Sequence, residues 1–337
     1  MNKETLKSKC LRWENFLVVT LILEIIIFGL LNPKFLQARV LLGSINDFIC
    51  ICIISLFVTF VLITGGMDIQ AGSIVGLSSI SLGVLWQDAG FNIWMAVVAA
   101  ICIGAVCGAI SGFFVAFTRV QAMVVTLGGQ FLYSGIALLV VNLSSSSAFE
   151  GISGYPKSFI ALATGNIFGI PNQVVIFIVL ALVGYIILHK TKYGRYIFLC
   201  GINQEAAEYS GIRTKWVIMS TYVLSGMSAS VAGIVLTSYL GSARADLGKE
   251  LTLPIITAVV LGGTSNLGGK GGVIGTAFAA VVIGFMRFGL VMVGLSTQYL
   301  DIPIGLLLII AVAGRTITSN AKLMKSVHEI FRKIKRA

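Results

Sequence analysis

The sequence predicts an all-α membrane protein, a polytopic bundle of about ten transmembrane helices with one of them short or broken. Three observations predict it. Apolar residues make up 57% of the 337 positions and charged residues 11%, against about 45–50% and about 25% in a soluble domain. The chain therefore lacks the charge to coat a water-facing surface. Long apolar runs recur from end to end, and the basic residues fall between those runs rather than along them, as in a membrane protein with short charged loops.

A helical span needs about 20 apolar residues. Candidate spans are 16–31, 44–64, 72–88, 94–117, 123–142, 172–189, 215–239, 251–263, 272–293 and 298–314. The first follows a basic start and ends in Asn32-Pro33-Lys34 with no small-residue cleavage site, so it reads as a retained span and not a signal peptide. The eighth is too short for a regular crossing helix and carries Pro254 near its start. It reads as a short or broken helix that still crosses. Irregular backbone at membrane depth is tolerated only where it is buried in protein or lines a watery cavity, which makes this stretch a candidate pathway wall. The longest loop, 143–171, is rich in Ser, Gly and Pro and reads as exposed and partly ordered. The whole is expected to be a single membrane domain, with a membrane region over 16–314, a loop over 190–214 and a tail over 315–337. Leu323, Val327, Ile330, Phe331 and Ile334 fall on one face of that tail among basic residues, the pattern of an amphipathic helix on a membrane surface.

A net charge of +11 is the signature of a nucleic-acid binder only when the cations share one face. Here they cluster at the N-terminus, in the central loop (Lys190, Lys192, Arg195, Arg213, Lys215) and at the C-terminus, so nucleic acid is excluded as a partner. With both termini cytoplasmic, 18 Lys and Arg lie inside, five (Lys34, Arg39, Lys157, Arg244, Lys249) lie outside and Arg287 falls in a span. The opposite orientation inverts that ratio and breaks the positive-inside rule.

Few residues are equipped for chemistry. The six cysteines lie mostly in apolar runs, and Cys50-x-Cys52 has no His or further Cys at metal spacing, so they read as packing residues. Gly268-Gly269-Lys270-Gly271-Gly272 lacks the Ser or Thr that follows the lysine of a phosphate-binding loop, and no strand precedes it. A tight turn is expected there, and no cofactor and no ATPase site are expected on this chain. The glycines at 104, 108 and 112, at 72 and 76, and at 271 and 275 follow the small-xxx-small spacing that lets helix backbones approach closely in lipid. Two carboxylates fall at membrane depth. Glu24, mid-span, needs a partner or a proton, serving either transport or an interhelical hydrogen bond. Asp68 follows Thr64-Gly65-Gly66-Met67 and is placed to cap the next helix through its backbone N–H groups. In the central loop, Asn203 to Ser210 suits a short helix capped by Asn203, with Glu205 in its first turn and Gly211 ending it. Such a helix held between two spans is a docking surface and a natural lever.

At that loop the chain resembles a known family. Glu205-Ala206-Ala207 followed by Gly211 is similar to the E-A-A-x-x-x-G element with which the permeases of ABC importers dock onto their ATPase. Thr64 to Ile69 with Gly72-Ser73, Val125 to Gly128, Thr191 to Arg195, and Ala258 to Thr264 resemble the ribose-type branch of those permeases, in order and over nearly the whole chain. Asp47 to Ile51, Tyr239 to Gly248 and Pro254-Ile255-Ile256-Thr257-Ala258 resemble the autoinducer-2 members of that branch. Met67 and Gln70 stand where relatives often carry Ile or Leu and Ser. The resemblance implies a transport subunit of the bacterial inner membrane that is not itself an enzyme. Its partners would be an ATP-binding subunit dimer, a second paralogous permease, a periplasmic substrate-binding protein and membrane lipid, with ATP bound by the partner. It implies alternating access driven through Glu205, Ala206, Ala207 and Gly211, a pathway involving Pro254 and Thr257, and a binding-protein contact near Arg244 and Asp246. The alternatives are a permease for ribose or another sugar, and an ion-coupled secondary transporter using Glu24 or Asp68.

Overall fold

The structure, a computed structural model, describes residues 3–142, 144 and 151–309, with side chains from residue 15 onward. The amphipathic tail expected over 322–336 lies outside the described residues. Among the described residues, six helices are long and apolar enough to cross a membrane: α2 (Ala38–Ile63), α4 (Ile93–Phe117), α5 (Ala122–Asn142), α7 (Asn172–Lys190), α10 (Thr214–Leu240) and α12 (Val273–Met292). Four shorter apolar helices stand at the remaining predicted spans: the Asn15–Leu31 part of α1 (Lys3–Leu31), α3 (Ala71–Gln87), α11 (Thr252–Leu261) and the Thr297–Ile309 stretch, whose regular helix is α13 (301–309). Between the spans lie three short helices, α6 (Lys157–Thr164), α8 (Lys192–Ile202) and α9 (Gln204–Tyr209).

Burial ranks the helices. In α2, 83% of the most apolar window is buried, and in α10 61%, against 17% in α7. α2 and α10 therefore form the centre, and α7 rides on the outside. The central helices carry small and hydroxyl side chains, and these are paired across the bundle. The Thr59 and Thr276 hydroxyls lie 2.8 Å apart between α2 and α12, and those of Ser79 and Thr237 lie 2.6 Å apart between α3 and α10.

The glycine spacing does different work at different places. Gly104 and Gly108 of α4 lie against the backbone carbonyls of Gly226 and Tyr222 on α10, so a side chain at either would meet main chain. This is the close helix approach the spacing predicts. Gly72 and Gly76 of α3 instead receive non-helical backbone, the carbonyls of Gly248, Ala245 and Leu247.

That contact explains the eighth span. β4 (Ser242–Ala243) pairs antiparallel with β1 (Ile152–Ser153) at one end of the bundle. From there the chain descends along α3: the Arg244 N–H donates to Ser79 Oγ (3.3 Å), Gly248 lies on Gly72, and Thr252 Oγ1 donates to the Ile69 carbonyl (3.2 Å). Seven residues of α3 and the ten of α11 correspond to about 10 and 15 Å, most of a hydrocarbon core of about 30 Å. The span is thus broken, non-helical in one half and helical in the other. Pro254 sits in the first turn of α11, where a missing N–H breaks no helical bond.

From residue 151 the long loop is ordered. Ser238 Oγ donates to the Phe159 carbonyl (2.6 Å) and accepts from the Ala163 N–H (3.1 Å), and Tyr155 stacks near Trp86 with centroids 4.8 Å apart. Asn166–Ile167 and Ile170–Pro171 close a small hairpin (β2, β3) before α7.

The packing generates a first prediction. Gly108→Ala is expected to lower stability by about 1–3 kcal/mol through overpacking against the α10 backbone. Gly135→Ala on α5, where an added Cβ meets open space, is expected to be neutral or slightly stabilising. Thermal unfolding of the two purified variants in one detergent checks the difference.

Candidate functional site

Besides the stretch that descends along α3, the chain leaves regular structure at two further places, after α2 and after α11, and both are built from glycine-rich sequence. The first is Thr64 to Gln70. Thr64-Gly65-Gly66 ends α2, with Gly65 in the left-handed region (φ 82°). The Gly65 and Gly66 N–H groups turn back to the Leu62 and Val61 carbonyls (2.9 and 3.1 Å). The Met67 carbonyl accepts from Tyr222 of α10 (3.4 Å) and Thr126 of α5 (3.2 Å), and the Ile69 carbonyl accepts from Thr252.

Asp68 is 1% exposed. One of its oxygens accepts from the Gln70 N–H (3.1 Å) and the other from Ser225 Oγ of α10 (2.6 Å). It holds the backbone just ahead of α3 through the N–H of Gln70, the residue that flanks the helix, and also ties that turn to α10. Gln70 is fully buried, and its Oε1 accepts from Ser111 of α4 (2.6 Å). Ser111 lies 3.2 Å from the Tyr133 hydroxyl of α5, which donates to the Cys107 carbonyl (2.9 Å). The Gln70 amide nitrogen has no partner among the described residues. Helices α4, α5, α10 and α11 thus converge on seven residues.

The second break runs from Gly262 to Gly272, between α11 and α12. It is the tight turn expected from its glycines: the Ser265 N–H bonds the Lys270 carbonyl (2.9 Å), and Gly268 and Gly269 take positive φ. The Gly269 N–H donates to the Ile63 carbonyl at the end of α2 (2.8 Å). Gly201 of α8 packs on the same Ile63 carbonyl, and Gly268 packs between Gly201 and Gly65. The end of α2, both breaks and α8 therefore meet at one point.

α8 and α9 form a platform at that end. Thr191 caps α8 by accepting from the Gly194 N–H (3.2 Å), and Asn203 caps α9 by accepting from the Ala206 N–H (3.0 Å). Gly194, Ile197 and Cys200 face inward. Glu205 and Ala206 are exposed, Ala207 is buried, and Gly211 takes φ 81° just beyond the helix. The exposed face also carries Ile202, Tyr209 and Leu267, exposed 69%, 93% and 91%. Large apolar side chains beside a free carboxylate form a surface suited to protein contact.

The remaining predicted residues lie elsewhere. Thr257 is buried with its hydroxyl turned to the Leu253 carbonyl (2.7 Å), one turn back in its own helix. Glu24 is half-buried on α1, which packs on α12, and its Oε2 has no partner among the described residues. It is not part of either break. Arg244 and Asp246 pair at 2.7 Å, half-exposed. Arg244 is level with Ser79, about two turns short of the end of α3, so the pair sits below the β1–β4 ladder and not on the outermost turn. Arg287, within α12, lies 3.8 Å from both Glu250 and Asp301 and bridges the chain before α11 to α13. Among the described residues no cluster of three His, Cys, Asp or Glu is placed to hold a metal.

Among the described residues, six membrane-length helices and four shorter apolar ones around these breaks make a multi-pass membrane protein of the permease class. The chain belongs to the family described as branched-chain amino acid transport system / permease component, which matches residues 40–312, a range that includes both breaks and the platform. Among curated relatives it is similar to the Autoinducer 2 import system permease protein LsrD of Enterobacter sp. (strain 638), 40% identical over 316 residues, 94% of this chain and 96% of the relative. It is 40% identical to LsrD of Klebsiella pneumoniae over 94% of this chain and 95% of the relative, and 41% identical to that of Salmonella typhi over 91% and 92%. The resemblance to import permeases read from the motifs is borne out by these relatives. No solved structure matches the chain.

The Asp68 geometry generates the second prediction. Asp68→Ala strands the Ser225 hydroxyl and the Gln70 N–H, at about 1–3 kcal/mol for each buried group left unpaired. Asp68→Asn keeps an acceptor for the Gln70 N–H and a donor for Ser225 Oγ. The thermal midpoint of Asp68→Ala is expected to fall well below that of Asp68→Asn.

Proposed function

We propose that this chain is the membrane-spanning permease of an ATP-driven importer that carries autoinducer-2 across the bacterial inner membrane. The observation that carries the reading is the α8–α9 platform, which touches both backbone breaks through the end of α2. Near-full-length similarity to relatives bearing the autoinducer-2 name supports the substrate. The two termini and the platform end face the cytoplasm on this reading, which places most of the Lys and Arg inside.

The partner ATPase dimer docks on Glu205, Ala206, Ala207 and Gly211, with Ile202, Tyr209 and Leu267 in the contact. ATP stays with that partner, and this chain supplies no ATPase site. A second, paralogous permease completes the pathway, and a periplasmic binding protein delivers substrate at the end that holds the half-exposed Arg244–Asp246 pair. Closure of the ATPase dimer pushes α9 and α8. The push reaches the Ile63 carbonyl, where Gly201 and Gly269 converge, and from there the 64–70 break and α11. Two discrete packings of these breaks open the path to one side at a time.

The test is a mild-detergent pull-down of the tagged chain from its native membrane, combined with uptake of labelled autoinducer-2. An ATPase and a second permease are expected in comparable amount. Glu205→Arg is expected to lose the ATPase by at least about tenfold, the size of one lost charge-assisted hydrogen bond of about 1.5–3 kcal/mol, while the second permease stays and uptake falls in parallel. A chain that purifies alone, or uptake that survives loss of the ATPase and collapses with the proton gradient, contradicts the reading.

A further inference from the structure

Outside the breaks, α7 and α12 part to leave an apolar groove of about 400 Å³, lined by nine residues. Phe177, Ala181 and Tyr185 of α7 face Ala277, Phe278 and Val281 of α12, and every lining side chain is hydrocarbon save the Tyr185 hydroxyl. The lining spans nine residues on each helix, from Phe177 to Tyr185 and from Val273 to Val281, a rise of about 12 Å. That is close to one leaflet's share of a hydrocarbon core about 30 Å thick. A lining of hydrocarbon over that length, with the Tyr185 hydroxyl as its one polar group, suits an extended acyl chain.

One end of the groove is cationic. Beyond Tyr185, His189 lies one turn on with its ring centroid 5.1 Å from that of the tyrosine, and the Gly272 backbone packs beside its imidazole. Lys190 follows His189, and Lys270 precedes Gly272 by two residues. Both lysines are exposed, and neither has a carboxylate partner among the described residues. A hydrocarbon slot bordered at one end by two lysine-bearing segments suits an amphiphile with an anionic head.

We propose that this groove holds one acyl chain of an anionic phospholipid, with the headgroup on Lys190 and Lys270. The slot supplies the fit. The lysines supply the selectivity, because an acyl chain gains no hydrophobic advantage by leaving one apolar environment for another. The lipid wedges between the helix that leads into α8 and the helix that leaves the 262–272 turn. The inference rests on the groove and its rim and is independent of which solute the permease carries.

The experiment uses the full chain in its complex, incorporated into bilayers that contain phosphatidylglycerol or phosphatidylcholine carrying a photoreactive group on the acyl chain. Labelling of the 177–185 and 273–281 peptides is expected with phosphatidylglycerol in preference to phosphatidylcholine. The double variant Lys190→Gln/Lys270→Gln is expected to bind phosphatidylglycerol roughly 25-fold more weakly, about fivefold per lysine, so that the preference disappears. Ala277→Phe, which fills the slot, is expected to abolish labelling by both lipids. The wild-type labelling pattern needs no variant to fold. Equal labelling by the two lipids, labelling spread evenly over the outer helices, or a double variant that keeps the preference overturns the proposal. So does a cross-link from Ala277 to a protein partner in place of lipid.

Discussion

Backbone that leaves the helix inside a hydrocarbon layer must find its hydrogen bonds within protein, at a cost of several kcal/mol for each group left bare. The segment from Thr64 to Gln70 is where the fold depends on meeting that demand. Its carbonyls are taken by Tyr222, Thr126 and Thr252, and its own side chains, Asp68 and Gln70, reach Ser225 and Ser111. The partners come from four helices, so α4, α5, α10 and α11 are positioned by the same few bonds. The glycines of α4 then bring α10 close enough for those bonds to form, because Gly104 and Gly108 put no side chain between the two backbones.

The second break is tied to the first through a single carbonyl. Ile63 ends α2, accepts from the Gly269 N–H and is covered by Gly201 of α8. A displacement of the platform cannot leave that point unchanged, because Gly201, Gly268 and Gly269 have no side chains to absorb it. α11, held at one end by this turn and at the other by Thr252 on Ile69, belongs to the same unit. Buried polar networks of this kind are costly when half satisfied, which favours discrete arrangements over gradual distortion. That is the physical property an alternating-access pathway requires.

Much of this was legible in the sequence. Apolar runs separated by basic clusters placed an apolar helix at each of the ten predicted spans, because lipid leaves so few ways to satisfy a backbone, although α1 and α2 begin at Lys3 and Ala38, ahead of the predicted 16 and 44. Pro254 and the shortness of 251–263 marked the broken span, and Asn203 marked the start of α9. Asp68 could be read as a cap from its place after two glycines. Its bond to Ser225 could not, since the two residues are 157 positions apart and serine on an apolar helix has no distinctive pattern. Gln70 was visible only as a departure from the family pattern. The α8 helix left a faint signal in Gly194, Ile197 and Cys200 at intervals of three, masked by its basic neighbours. Gly72 and Gly76 read as a helix-packing pair, and the spacing alone did not reveal that they receive a descending loop. Arg287 read as a charge within a span. Its partners, Glu250 and Asp301, come from segments whose proximity only the fold determines.

The central claim is that the 64–70 break and the non-helical stretch that descends beside α3 to Thr252 line the transport route and move with the platform. Substituted-cysteine labelling tests it most directly. The six native cysteines are first replaced, and single cysteines are then placed along 64–70 and 246–252 in the assembled importer. A membrane-impermeant maleimide is applied with and without a non-hydrolysable ATP analogue. The account predicts that positions in both segments react and that their rates change several-fold with nucleotide, while Leu139 on the exposed face of α5 stays unreactive in both states. Segments that remain unreactive throughout, or that react at a rate indifferent to nucleotide, would contradict it.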